Sequence, residues 1–135
     1  MRPRIAEELE LLREQFGEVE HAETAGEDWF KLPRYPLPPG WRLGDEAVNQ
    51  VPVAFLVTAA YPGAAPYGFL APEGLNFEGK GPLNAKSSPK APPFEGNWWH
   101  FSWSVEDWRA TDAVRKGSNL LAWARGFRQR FKDGA

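Results

Sequence analysis

Ile5, Leu9, Leu12 and Phe16 recur at spacings of four, three and four residues. That spacing lines one face of a helix, so it predicts an amphipathic helix over 4–16. Pro3 falls in the first turn, where a missing N–H costs nothing, and Gly17 supplies the stop. Burying the four side chains contributes roughly 6–12 kcal/mol gross, an upper bound because the unfolded chain is not fully extended. The helix is too short to persist alone, so it must pack on something.

The next segments supply that surface. "EVEHAE" and "DWFKL" read as short strands around the turn "TAGED". "LPPGW", residues 37–41, is a proline-fixed connector. In "VPVAFLVTAA", residues 51–60, Val53, Phe55 and Val57 alternate with Ala54, Leu56 and Thr58. Both faces are apolar enough for a central strand, with Pro52 at its start. "YPGAAPYGFL" then turns and gives a short strand near 68–70.

From 71 to 96 the periodicity vanishes in a stretch rich in Pro, Gly, Ser and Lys. Structureless segments this long are functional loops or disorder. The prediction is a flap ordered at Phe77 and Phe94 and mobile near "NAKSSPK". The segment 107–131 closes the chain with Leu120, Trp123 or Ala124, Phe127 and Phe131 on one helical face. Thr111 or Ser118 is the candidate N-cap, and Gly117 favours the later start or a short first turn. Helix, antiparallel strands, flap, aromatic segment and helix make an α+β domain over 1–135, with a four-stranded antiparallel sheet. The expected core is Leu9, Leu12, Phe16, Phe55, Val57, Trp108, Leu121 and Phe127.

The aromatic segment is "WWHFSWS", residues 98–104. In an extended chain alternate residues share a face. Trp99, Phe101 and Trp103 should then point inward, and His100, Ser102 and Ser104 toward the flap.

Composition removes several chemistries. The chain has no cysteine, which excludes disulfides, zinc–thiolate and iron–sulfur sites, and thiol nucleophiles. The N-terminal stretch has no apolar run for a signal peptide or membrane span, so a soluble cytoplasmic protein is expected. A net charge of −2 does not advertise nucleic-acid binding. A basic stripe of Arg115, Lys116, Arg125, Arg128, Arg130 and Lys132 marks the C-terminal end, either a solvated face or a partner surface. Two histidines without an acidic helix motif make no metal site, and "FEGKGPLN" lacks the helix that a phosphate loop needs, so no cofactor is expected. His21 reads as an exposed strand residue. Glu27-Asp28, Asp45-Glu46 and Glu106-Asp107 read as turn and helix-start carboxylates.

"LPPGW", then "VAFLVTAAYPGAAPYGF", then "FSWSVEDWRATD" before a helix resembles the ubiquitin-conjugating-enzyme superfamily. It looks closest to the prokaryotic ubiquitin-conjugating-enzyme-like family E. In that superfamily a Tyr-Pro motif followed by a proline ends the third strand; Tyr61, Pro62 and Pro66 match it. A tryptophan about eight residues after the active-site position precedes the second helix; Trp108 matches that. The similarity covers about residues 4–132, and the two extra C-terminal helices of the eukaryotic enzymes would be missing. The superfamily's thioester-forming cysteine falls at His100 here. Its oxyanion-stabilising asparagine falls at Pro92, with Asn84 and Asn97 off register. The resemblance therefore implies a fold and a pathway, without carrying over an active site.

Acyl transfer without cysteine is chemically open. A serine forms an oxyester if a base reaches its hydroxyl and a donor serves the oxyanion. On one face of a strand His100 could reach Ser102, with Ser104 beyond and Asn97 or a backbone N–H at the oxyanion. Two functions follow. One is a cysteine-independent carrier that takes a ubiquitin-like protein from an activating-enzyme homologue, with Ser102, His100 and Ser104 as catalytic candidates. The other is a silent module that binds the ubiquitin-like protein or the activating enzyme. Outside the family, seven tryptophans suggest an aromatic groove for peptides or sugars.

Overall fold

The computed structural model of the chain describes residues 1–82 and 84–133. Helix α1 (Pro3–Phe16) is followed by β1 (Glu20–Thr24), β2 (Glu27–Pro36), β3 (Trp41–Leu43), β4 (Glu46–Ala47) and β5 (Gln50–Val57). Then come β6 (Phe69–Pro72), β7 (Leu75–Phe77), β8 (Ala85–Ser87), β9 (Trp98–Phe101) and helix α2 (Leu120–Lys132). The α+β class and both helices agree with the sequence pattern. The four-stranded sheet does not. The main sheet has six strands, in the order β1-β2-β5-β6-β9-β8, and a second sheet has three, β4-β3-β7. The extra strands are two or three residues long, or lie beside the flap, too short for any periodicity to show. The flap contributes β7 and β8 itself, so it is not structureless; its Leu83 lies outside the described residues.

Every pairing in the main sheet is antiparallel. The β1–β2 hairpin turns at Ala25-Gly26, both at positive φ, which suits a two-residue hairpin loop. A bulge between Leu32 and Tyr35 re-registers β2 on β5, so Tyr35 comes to face Val51. β5 lies inside the sheet between β2 and β6, as its two apolar faces predict.

The two faces of the sheet carry two clusters. Phe30, Leu32, Val53, Phe55, Val57, Phe69, Ala71 and Phe101 join the apolar faces of α1 and α2 in the main core. Phe127 is its hub: its ring stacks on Phe69 at 4.2 Å and meets Phe55, Tyr35 and Trp123 within 6 Å. On the opposite, outer face Trp29, Ala54, Leu70 and Trp98 form a smaller cluster, with Leu56 and Phe94 packed against it. The connector ends in a buried Trp41, whose Nε1–H donates to the Phe131 carbonyl at 3.0 Å. This closes the last turn of α2, where carbonyls lack partners within the helix.

Three expectations about packing change. Phe16, Leu121 and Trp108 are half-buried rather than buried. The N-cap of α2 is neither Thr111 nor Ser118 but Asn119, whose Oδ1 accepts from Ala122 N–H at 2.8 Å. Ser118 Oγ instead accepts from Arg109 N–H, and Thr111 donates to the Ala113 carbonyl, so both shape the loop before the helix.

Beneath that loop sits a buried charged network. Glu8 is fully buried on the apolar face of α1. Its Oε2 accepts from Arg4 Nε at 2.9 Å and from the Tyr61 hydroxyl. Its Oε1 accepts from Leu120 N–H at 2.5 Å, the first N–H of α2. One carboxylate thus ties α1, the Tyr61 turn and the positive end of α2 together.

Candidate functional site

The outer face of β6 and β9 carries a slot of about 270 Å³ lined by Trp29, Leu56, Tyr67, Leu70, Pro89 and His100, among others. Strand register creates it. His100 pairs with Leu70 on one side and Lys86 on the other, so Trp98 and His100 face outward while Trp99 and Phe101 face the helices. Phe101 is fully buried, and Trp99 and Trp103 pack half-buried on the main core. The inward aromatic row and the outward His100 are as the alternation predicts.

Gly68 makes room for the histidine. Its φ is +70°, a region side chains rarely adopt, and a Cβ there would stand 2.2 Å from His100 Nε2. The imidazole thus lies over bare backbone, beside the Tyr67 ring at 5.8 Å. Tyr67 is 64% exposed. The flap closes the other wall. Lys90 Nζ pairs with Glu27 of β2, and Lys31 Nζ sits 5.8 Å from the Phe94 ring centroid.

The serines do not join His100. Ser102 lies just past β9, held by its backbone: its N–H donates to the Asn84 carbonyl at 3.0 Å, and its carbonyl accepts from Arg130 Nε at 3.4 Å. Among the described residues no hydrogen bond links His100 to Ser102, and neither hydroxyl, of Ser102 or of the exposed Ser104, has a partner. Asn97 lies at the far end of β9, beside Glu95 and Trp98, with its carbonyl bound to Glu73 N–H. The slot is an aromatic and aliphatic trough with an imidazole and an ammonium at its rim. Such a lining grips an apolar side chain or an extended segment and orients it by a few polar groups.

Trp103 reaches the core through another glycine. Gly126, in the middle of α2, lets the indole approach so closely that a Cβ would stand 3.2 Å from Trp103 Nε1. That explains a residue otherwise unfavourable in a helix interior.

Sequence reasoning missed two polar sites. His21 is not simply exposed: its Nε2 lies 2.7 Å from Oδ1 of Asp28, itself 1% exposed, and its ring packs on Phe30. The signal was in the hairpin, where His21 opposes Phe30 and is therefore diagonal to Asp28 on the same face. The Glu8 network was also missed. Ile5, Glu8, Leu9 and Leu12 share one helical face, so a carboxylate in that row already called for buried partners.

No protein-family model, curated protein or solved structure matches this chain. No helix among the described residues is long and apolar enough to cross a membrane. The fold and slot define an α+β domain with a helix-covered face and a flap-bordered outer face.

Proposed function

We propose that this chain is a cysteine-free, ubiquitin-conjugating-enzyme-like component of a bacterial ubiquitin-like modification pathway, and that it acts by docking rather than by acyl transfer. The observation that supports this most is a long-range contact between the residues of the resemblance. Trp108 Nε1–H donates to the Pro62 carbonyl at 2.8 Å, and its ring lies 5.7 Å from that of Tyr61. The Tyr-Pro motif and the tryptophan, 46 residues apart, form one unit. Helix, antiparallel sheet and helix follow in the order the superfamily uses. Eight residues before Trp108 stands His100, inside the slot, where the superfamily would hold the modifier's tail. The ligands are the ubiquitin-like protein and the activating-enzyme homologue.

Docking is favoured over the oxyester because a serine hydroxyl without a base in reach is a poor nucleophile. The His100 ring lies over Gly68 and against Tyr67, and forms no hydrogen bond with Ser102. The test is incubation with the activating enzyme, ATP and candidate ubiquitin-like proteins of the same genome, read by intact mass. Docking predicts a complex on size exclusion and no mass shift of this chain. A thiol-resistant, base-labile adduct that Ser102→Ala abolishes and His100→Ala slows would establish the carrier instead.

A further inference from the structure

A second concavity lies on the other side of the molecule, where the end of α1 meets α2 and the end of β2. It measures about 360 Å³, and Phe16, Tyr35, Pro36, Arg34, Arg125 and Arg128 are among its lining. Through Pro36 and Arg128 it continues into a smaller hollow of about 240 Å³ with Leu37, Pro38 and Lys132. The floor is apolar. The half-buried Phe16 ring lies 5.6 Å from that of Tyr35, which is 2% exposed with its hydroxyl donating to the Ala124 carbonyl at 2.6 Å, so Phe16 supplies most of the accessible floor and Tyr35 backs it.

The rim is cationic, and largely uncompensated. Arg125 bonds a neutral partner, Gln15 Oε1, at 2.8 Å. Arg34 pairs with Glu18 at 3.2 Å, both of them exposed. Arg128 and Lys132 have no ion pair among the described residues. Of the other carboxylates nearby, Glu14 pairs with Arg115, while Asp133 accepts from the neutral Gln129 amide and keeps its charge next to Lys132. The groove thus gathers four cations against Glu18 and Asp133 in a chain whose net charge is −2. Arg125, Arg128 and Lys132 follow one another at three and four residues along α2 and span about 10 Å, the reach of three or four extended residues.

We propose that this groove is a docking site for a short acidic segment of a partner protein, with an apolar side chain seated on Phe16 and Pro36 and flanking carboxylates paired with Arg125, Arg128 and Lys132. Charge complementarity argues for that occupant, since guanidinium forks match carboxylates in pairs. A nucleic-acid face needs a broad positive surface that tracks phosphates. This groove is a small concavity of about 360 Å³ with Phe16 and Pro36 in its lining, on a protein of net charge −2. The site is independent of the His100 slot and of the pathway reading, because the two lie on opposite faces of the main sheet.

The test titrates the isotope-labelled full chain with a capped acidic pentapeptide of central leucine. Its controls are a peptide with amides for the carboxylates, one with a central alanine, and a short oligothymidylate. The expected result is saturable shifts at Phe16, Tyr35 and Arg128, weakening as salt rises. Arg128→Glu combined with Lys132→Glu should bind about tenfold more weakly or worse. Both side chains are exposed, so the fold should persist, as circular dichroism checks, and Arg42→Glu on β3 should bind normally. The proposal is overturned by an absence of saturable shifts, by equal binding of the amide peptide or the double variant, or by tighter binding of the oligothymidylate.

Discussion

Replacing Glu8 by alanine removes the acceptor on which three donors converge. Leu120 N–H and the Tyr61 hydroxyl are then left inside the core without partners. Each such group costs about 1–3 kcal/mol. Arg4 loses its carboxylate as well, but its side chain is 17% exposed and can turn partly to water, so its share is smaller. The expected loss is about 3–5 kcal/mol, the range for deleting one partner of a buried ion pair. Glu8→Gln keeps an oxygen for Leu120 N–H but turns an amide N–H₂ toward Arg4, donor against donor. It should cost about 1–3 kcal/mol. Tyr61→Phe removes one hydrogen bond to a charged group, at about 1.5–3 kcal/mol. Urea unfolding followed by tryptophan fluorescence measures all three, with an unchanged slope confirming that only stability moved. The Tyr61→Phe effect should nearly vanish in the Glu8→Ala background. A Glu8→Ala loss below about 1 kcal/mol, or strict additivity of the two substitutions, would refute the network as the joint between the helices.

Other consequences are independent of that network or extend it. Burial pushes Tyr35 up to about 12 from its ordinary 10.0, and burial with the neighbouring Glu8 carboxylate pushes Tyr61 well above the ordinary range. Folded values above the unfolded one mean that the unfolded chain loses its protons first. Stability should be intact below about pH 10 and fall above it by about 1.4 kcal/mol per pH unit for each tyrosine. Tyr35→Phe and Tyr61→Phe should each flatten that alkaline slope in urea titrations, and equal slopes in wild type and variants would contradict it. Gly68→Ala should cost about 1–3 kcal/mol and shift the His100 ring resonances; an unmoved ring would remove the close approach as the basis of the slot. Trp108→Phe keeps a ring against Tyr61 but loses the bond to Pro62, and thermal or urea unfolding should report about 0.5–1.5 kcal/mol.

The two helices and β5 were legible because their patterns run over many residues and both depend on burial on a common core. The row Ile5, Leu9, Leu12 was enough for α1, and the doubled apolar alternation around Phe55 was enough for an interior strand. β3, β4, β7 and β8 escaped because strands of two or three residues carry no period, and their pairing is set by tertiary contacts such as Trp41 against Phe131. The cap of α2 was misread because Thr111, Ser118 and Asn119 all have capping side chains; only the loop geometry assigns one of them. Trp108 was expected to be buried as the match to the superfamily's tryptophan before the second helix, whereas it lies half-buried with its indole N–H bound to the Pro62 carbonyl. At the site, alternation correctly turned His100 outward, but it also aligned Ser102 with His100. The end of β9 at Phe101 breaks that alignment, and no local pattern announces where a strand stops.

The most direct test of the docking account is an amide-resolved titration of the labelled chain with the ubiquitin-like proteins and the activating-enzyme homologue of its own genome. The account predicts saturable shifts centred on Trp29, Tyr67, Gly68 and His100, with His100→Ala or Tyr67→Ala weakening binding about tenfold and no covalent product formed. Shifts absent from that slot with every such protein, or a base-labile acyl adduct on Ser102, would contradict it.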